Sequence, residues 1–235
     1  MVNGAGSAGV AITKLLLTYG FPNIIMCDKV GIVSKDTEGL NWMQKKMTEV
    51  TNLNNETGSL ADALKGADIF IGVSAPNIVT PKMVASMNRD SILFAMANPI
   101  PEIMPDVAKA AGARVVGTGR SDFPNQVNNV LGFPYIFRGA LDVRATKINE
   151  AMKLAAARAL AELAQEPVPS MVLRAYALGK LEFGRGYLIP KPLDPRLLCT
   201  VTPAVARAAI ESGVARQPIT DWDAYIEKLR TMTEI

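Results

Sequence analysis

Short apolar runs alternate with amphipathic stretches through the first half of the chain. Residues 8–19 (AGVAITKLLLTY) carry apolar positions at helical spacing, and Gly20 supplies a left-handed stop. Residues 23–29 (NIIMCDK) read as a short buried strand ending in charge. The segment 30–57 is polar and mixed, with a short helix expected near 39–48. Ser59 is placed to cap a helix over 60–66, and Thr80 followed by Pro81 opens another over 81–87. Strands are predicted at 68–74, 91–97 and 114–119, with a helix from Pro105 to about 111 between the last two. Strands of five to seven apolar residues separated by helices predict an α/β fold. The expected architecture is a Rossmann-like, doubly wound parallel sheet with helices on both faces.

Near residue 140 the pattern changes. Residues 143–165 form the strongest helical signal of the chain, rich in Ala, Leu, Lys and Glu, and Pro167 and Pro169 end it. Further short helices are predicted at 169–178, at 203–213 with Thr202 as cap and Pro203 in the first turn, and at 221–232 with Asp221 as cap. The three prolines in 188–198 predict an extended connection. The expected organisation is therefore a dinucleotide-binding domain over 1–140 and a C-terminal helical region over 141–235 that packs on it.

Composition narrows the function classes. Of 235 residues, 49% are hydrophobic and 20% charged, with a formal net charge of +3, so a packed core is expected and a nucleic-acid footprint is not. No apolar run reaches the roughly 18–20 residues of a membrane span, and the N-terminus has no charged segment leading an apolar block. Cys27 and Cys199 stand far apart outside any CxxC pattern, so a reduced cytoplasm is the expected setting. The chain contains no histidine, which excludes Ser-His-Asp and Cys-His chemistry and every His-based metal site.

The sharpest motif is Gly4-Ala-Gly6-Ser-Ala-Gly9, a GxGxxG that opens the first helix. Gly4 permits the tight turn, Gly6 lets backbone approach a pyrophosphate, and Gly9 allows helix and strand to pack closely. First-turn N–H groups and the helix dipole then suit a phosphate. The following strand ends in Asp28, 19 residues after Gly9, the separation expected of an acid that binds the adenosine ribose hydroxyls. A carboxylate there repels a 2′-phosphate and favours NAD over NADP, while the neighbouring Lys29 leaves NADP open. Only Met1, Val2 and Asn3 precede Gly4, where a central strand of about five or six residues belongs. The first strand is thus expected to be truncated and the chain to begin inside a longer protein.

Four segments carry a family resemblance: NGAGSAG (3–9), FAMANPIPEIMP (94–105), the long run GTGRSDFPNQVNN…ALAELA (117–164) and IPKPLDPRLL (189–198). Together they resemble bacterial malic enzyme, specifically its NAD(P)-binding domain and C-terminal helices, over almost the whole chain. The resemblance implies oxidation of (S)-malate with reduction of NAD(P), followed by decarboxylation to pyruvate with the help of Mn²⁺ or Mg²⁺. It also implies a homodimer or higher homo-oligomer. By the same resemblance Gly4, Gly6, Ser7, Ala8 and Gly9 form the dinucleotide loop, Asp28 binds ribose, and Ser74 and Ala75 lie beside the cofactor. Asn98 lies near nicotinamide and substrate, and Asn128 and Asn129 bind the malate carboxylate and hydroxyl region.

Judged by residue type alone, Asn98-Pro99 is also an ordinary turn and Asn128-Asn129 a loop cap. Arg120, Ser121 and Asp122 read as a polar cluster that shapes the loop ahead of Asn128, and Met83, Met87, Met96 and Met104 as core filler. Tyr135 and Tyr187 lie in no acid–base pattern. The family's general acid, general base and metal carboxylates precede the glycine motif, so no catalytic residue and no metal ligand is expected in this chain. The chain is expected to bind cofactor without turnover by itself. The alternatives are a standalone dinucleotide-binding regulatory module and another hydroxy-acid dehydrogenase.

Overall fold

A computed structural model describes residues 1–232. They fall into two compact units, Met1–Val127 and the described residues from Asn128 onward. The sequence places the boundary at 140/141. The difference arises from a helix the sequence reading passed over, Phe133–Asp142, which is part of the second unit.

The first unit carries a six-stranded sheet in the order β3-β2-β1-β4-β5-β6, the order expected of a dinucleotide-binding sheet. The strands are β1 (Val2–Asn3), β2 (Met26–Asp28), β3 (Gly31–Ile32), β4 (Ile69–Gly72), β5 (Ile92–Ala95) and β6 (Val115–Thr118). All pairings are parallel except β2 with β3, a short antiparallel edge inside the segment read as merely polar. β2, β4, β5 and β6 are each shorter than the apolar run that predicts them. The run 23–29 yields only Met26–Asp28 because its partner β1 offers just Val2 and Asn3, which pair with Met26 and Cys27 on one side and with Ile71 and Gly72 on the other.

The helices of this unit are α1 (Ser7–Tyr19), α2 (Trp42–Met47), α3 (Leu60–Leu64), α4 (Pro81–Ala85) and α5 (Pro105–Ala110). Their ends follow local chemistry. Gly20 closes α1 at φ +112°, Ser59 accepts the Asp62 N–H in a capping box, and Thr80 caps α4 ahead of Pro81. Leu64, Val84 and Ala108 from three helices pack with Phe70, Leu93, Ala95 and Val116 from the sheet. Val10 and Met47 pack with Met26 at the β2 side.

The second unit is helical: α6 (Phe133–Asp142), α7 (Glu150–Gln165), α8 (Ser170–Ala175), α9 (Arg196–Glu211) and α10 (Trp222–Arg230), preceded by a 3-10 turn at Asn129–Leu131. Two sequence expectations need correction. The helix expected over 143–165 starts at Glu150, because Arg144 adopts φ +49° and Asn149 caps the helix by accepting the Met152 N–H. The helix expected at 203–213 starts at Arg196, so Thr202 is no cap and Pro203 lies inside α9. Burial outweighs the lost proline N–H there: Leu197, Val201, Val205 and Ala209 are fully buried against Met152, Ala156 and Leu163.

Candidate functional site

At the carboxyl ends of β1, β2, β4 and β5 the structure assembles every residue expected to touch a dinucleotide. The turn after β1 is dictated by its glycines. Gly4 has φ +108°, and a Cβ there would lie 2.7 Å from the Val73 carbonyl oxygen. A Cβ at Gly9 would sit 1.9 Å from the Gly4 carbonyl oxygen, so α1 crosses its own loop at a distance that excludes any side chain. A Cβ on Gly6 would meet nothing within 4 Å, so this position faces open space. Gly6 is the N-cap of the 13-residue α1, offers no side-chain cap, and no acidic residue occupies the first turn. Ser7 and Ala8 are exposed in that turn. The N-terminal N–H groups of α1 therefore face the open side of the loop with no side-chain cap competing for them, which suits an anionic ligand.

Asp28 ends β2 half-buried. Its Oδ1 accepts its neighbour's Lys29 N–H at 2.8 Å, and its Oδ2 accepts from Gln44 Nε2 at 2.7 Å. Gln44 Nε2 also donates to the Ala5 carbonyl, inside the glycine loop, at 3.3 Å.

Beyond β4 and β5 the site is organised by a side chain the sequence reading did not single out. Glu102 is fully buried, and its carboxylate accepts the Ser74 N–H through Oε1 and the Ala97 N–H through Oε2, each at 3.0 Å. Asn3 Nδ2 donates to Ser74 Oγ at 2.6 Å, and that hydroxyl donates to Glu102 Oε1 at 3.4 Å. The network links the ends of β1, β4 and β5 through Asn3, Ser74 and Ala97, and the exposed Ala75 and Asn98 are the next residues along the chain. Gly72 is required here, since a Cβ would come within 2.4 Å of the Glu102 carboxyl carbon. One acid within the apolar run FAMANPIPEIMP was the available signal for Glu102. For Gln44 it was the Asn41-x-x-Gln44 capping-box spacing.

Asn128 and Asn129 belong to the second unit. Asn128 Oδ1 accepts the Val130 N–H at 3.0 Å and so caps the 3-10 turn, leaving its amide group uncommitted to that bond, and Asn129 is exposed. Arg120 and Asp122 pair with each other through two hydrogen bonds of 2.9 and 2.7 Å. Burial pushes the Tyr135 and Tyr187 hydroxyls above the ordinary phenol range. Tyr187 is 2% exposed. Among the described residues no group of three or more His, Cys, Asp or Glu side chains is arranged around a common metal position. A cavity of about 670 Å³ opens at the opposite, amino-terminal edge of the sheet, lined by Met1, Phe21, Leu53 and Asp68.

The sheet order, the glycine turn and the acid at the end of β2 define a dinucleotide-binding domain of the Rossmann type. Residues 1–174 match the malic enzyme NAD-binding domain, and the chain belongs to that family. It is 53% identical over 231 residues to the NADP-dependent malic enzyme of Rhizobium meliloti, covering 97% of this chain and 30% of the relative. It is 51% identical over 236 residues to the bifunctional malic/malolactic enzyme of Bacillus subtilis, covering 100% of this chain and 54% of the relative. The crystal structure of malic enzyme from Pyrococcus horikoshii superposes with a TM-score of 0.86 at 37% identity, covering 100% of this chain and 53% of that one. The chain thus spans between 30% and 54% of the length of these relatives.

Proposed function

We propose that this chain supplies the dinucleotide site of an NAD(P)-linked malic enzyme, which oxidatively decarboxylates malate to pyruvate. The observation that carries the reading is the uncapped N-terminus of α1 facing open space at Gly6, with the Asp28 carboxylate at the end of the neighbouring strand. A dinucleotide held here would supply the hydride acceptor for the substrate carbon. The protein's part is to hold and orient it. Gly4, Gly6, Ser7, Ala8 and Gly9 give the pyrophosphate a backbone cradle, and Asp28 accepts hydrogen bonds from the adenosine ribose hydroxyls. Ser74, Ala75 and Asn98, held by Glu102, border the nicotinamide half. Neutral amides at Asn98, Asn128 and Asn129 bind a substrate carboxylate or hydroxyl without adding a titrating group.

Asp28 favours NAD, since a 2′-phosphate would meet its charge, and the NADP dependence of the Rhizobium relative keeps NADP as the second cofactor to test. Oxidation of an alcohol needs a base at the hydroxyl, and decarboxylation of the β-keto acid needs an electron sink. We assign both, with the Mn²⁺ or Mg²⁺ of the whole enzyme, to chain outside residues 1–235. The whole enzyme is read as a cytoplasmic homo-oligomer. No helix among the described residues is long and apolar enough to cross a membrane. The test is reduced-dinucleotide formation by the purified chain with malate, NAD and Mn²⁺. The expected result is saturable NAD binding without turnover. Robust turnover would move the chemistry into this chain.

A further inference from the structure

We propose that Gln44 is the positioning residue for ribose recognition: its amide aims the Asp28 carboxylate and ties it to the glycine-rich loop. The inference rests on the dinucleotide reading of the site. Gln44 is the third residue of α2, 9% exposed, and its amide makes three hydrogen bonds. Its Oε1 accepts the Asn41 N–H at 3.1 Å, which leaves Nε2 pointing the other way. That nitrogen donates to Asp28 Oδ2 at 2.7 Å and to the Ala5 carbonyl at 3.3 Å.

A glutamine amide has one acceptor oxygen and two N–H donors, and here the oxygen and the nitrogen each face groups of the complementary kind. A glutamate of the same length would set an oxygen against both the Asp28 carboxylate and the Ala5 carbonyl. An apolar side chain would leave Asp28 attached to the structure only through its neighbour's N–H at 2.8 Å. With Oδ2 held by Gln44 and Oδ1 by Lys29, each carboxylate oxygen keeps a free lone pair, and the carboxyl plane is set before any ligand arrives. Preorganisation of that kind lowers the ordering cost of binding. Because the same amide grips Ala5 between Gly4 and Gly6, the ribose acid and the phosphate loop are held in one fixed relation.

The test is calorimetric titration of ADP-ribose, which carries the adenosine ribose and pyrophosphate but no nicotinamide, into the 235-residue chain. Gln44→Met should raise the Kd about tenfold, on the order of one hydrogen bond to a charged group. Asn41→Ala removes the cap of α2 without touching Asp28 and should leave the Kd within about twofold. Asp28→Asn should itself cost about tenfold, and the double variant should fall clearly short of the additive loss, because Gln44 acts chiefly through Asp28. An Asn41→Ala loss equal to that of Gln44→Met, or an additive loss of about a hundredfold in the double variant, would reduce Gln44 to a structural role and overturn the proposal. If Gln44→Met does not fold, Gln44→Asn, one methylene too short to reach, replaces it with the same expected loss. Failure of the unmodified chain to bind ADP-ribose would overturn the dinucleotide reading itself. Normal binding by a folded Gln44 variant would overturn only this inference.

Discussion

Replacing Glu102 by glutamine exchanges one carboxylate oxygen of a buried side chain for an NH₂ group, and the structure sets the cost. The carboxylate accepts two backbone N–H groups, from Ser74 and Ala97, both at 3.0 Å and both donors that no substitution at position 102 can remove. In Glu102→Gln the amide oxygen satisfies one of them, and the NH₂ group turns toward the other. Leaving a buried donor unpaired costs about 1–3 kcal/mol, and the surviving bond loses its charge assistance. The expected sum is about 2–3 kcal/mol, or roughly 5–10 °C in Tm for a chain of this length. Glu102→Leu strands both donors and should cost more, even though it removes a buried charge. The order of stability should therefore be Glu above Gln above Leu, measured by thermal melting. Because the donors belong to Ser74 and to the residue before Asn98, the affinity for NADH should fall in the same order. A glutamine variant within about 0.5 kcal/mol of the parent, or a leucine variant more stable than the glutamine one, would refute the view that this carboxylate clips the two loops together.

Gly9→Ala places a Cβ 1.9 Å from the Gly4 carbonyl oxygen, so either α1 shifts or the turn opens; a loss of about 1–3 kcal/mol is expected, with NADH affinity falling at least tenfold, and retention of both parent values would contradict the packing argument. Asp28→Asn removes the charge that opposes a 2′-phosphate, so the NADP:NAD affinity ratio should rise, and an unchanged ratio would refute the role of Asp28. Burial pushes the Cys27 thiol up to about 12, with a smaller upward push from the Asp28 charge. An unfolded thiol ionises near 8.5, so the stability from keeping Cys27 protonated is complete below about pH 8 and is lost as pH rises toward 12. Between pH 8 and 11 the parent should lose stability to urea faster than Cys27→Ala, and parallel pH profiles would exclude this linkage.

Much of the fold was legible because short-range chemistry decides it. Gly20, Ser59, Thr80 and Asp221 each end or begin a helix where the sequence places them. The apolar runs locate β2, β4, β5 and β6, but their lengths depend on partners, and a run carries no signal of how far its neighbour extends. The errors concern tertiary competition. Pro203 reads locally as a helix start, yet the buried face from Leu197 to Ala209 holds α9 together through it. The continuous Ala- and Leu-rich signal after 143 hid the break at Arg144 to Asn149, which depends on long-range pairing such as the Thr146 N–H with the Val214 carbonyl. In the site, glycine spacing and the offset to Asp28 marked the turn after β1 and the acid at the end of β2, which are proposed to meet phosphate and ribose. Glu102 and Gln44 act by joining segments 28 and 39 residues apart in sequence, at Ser74 and Ala5, and no local pattern encodes such a partner.

The central claim is that the open N-terminus of α1 beside Asp28 holds a dinucleotide. Fluorescence titration of NADH into the purified chain, with Gly6→Asp as the paired variant, tests it most directly. Gly6 faces open space, so an aspartate fits there without steric conflict and caps the helix with a negative charge where the pyrophosphate would lie. The account predicts saturable NADH binding by the parent and its loss in a Gly6→Asp variant that melts no lower. Equal binding by both proteins, or none by the parent, would contradict it.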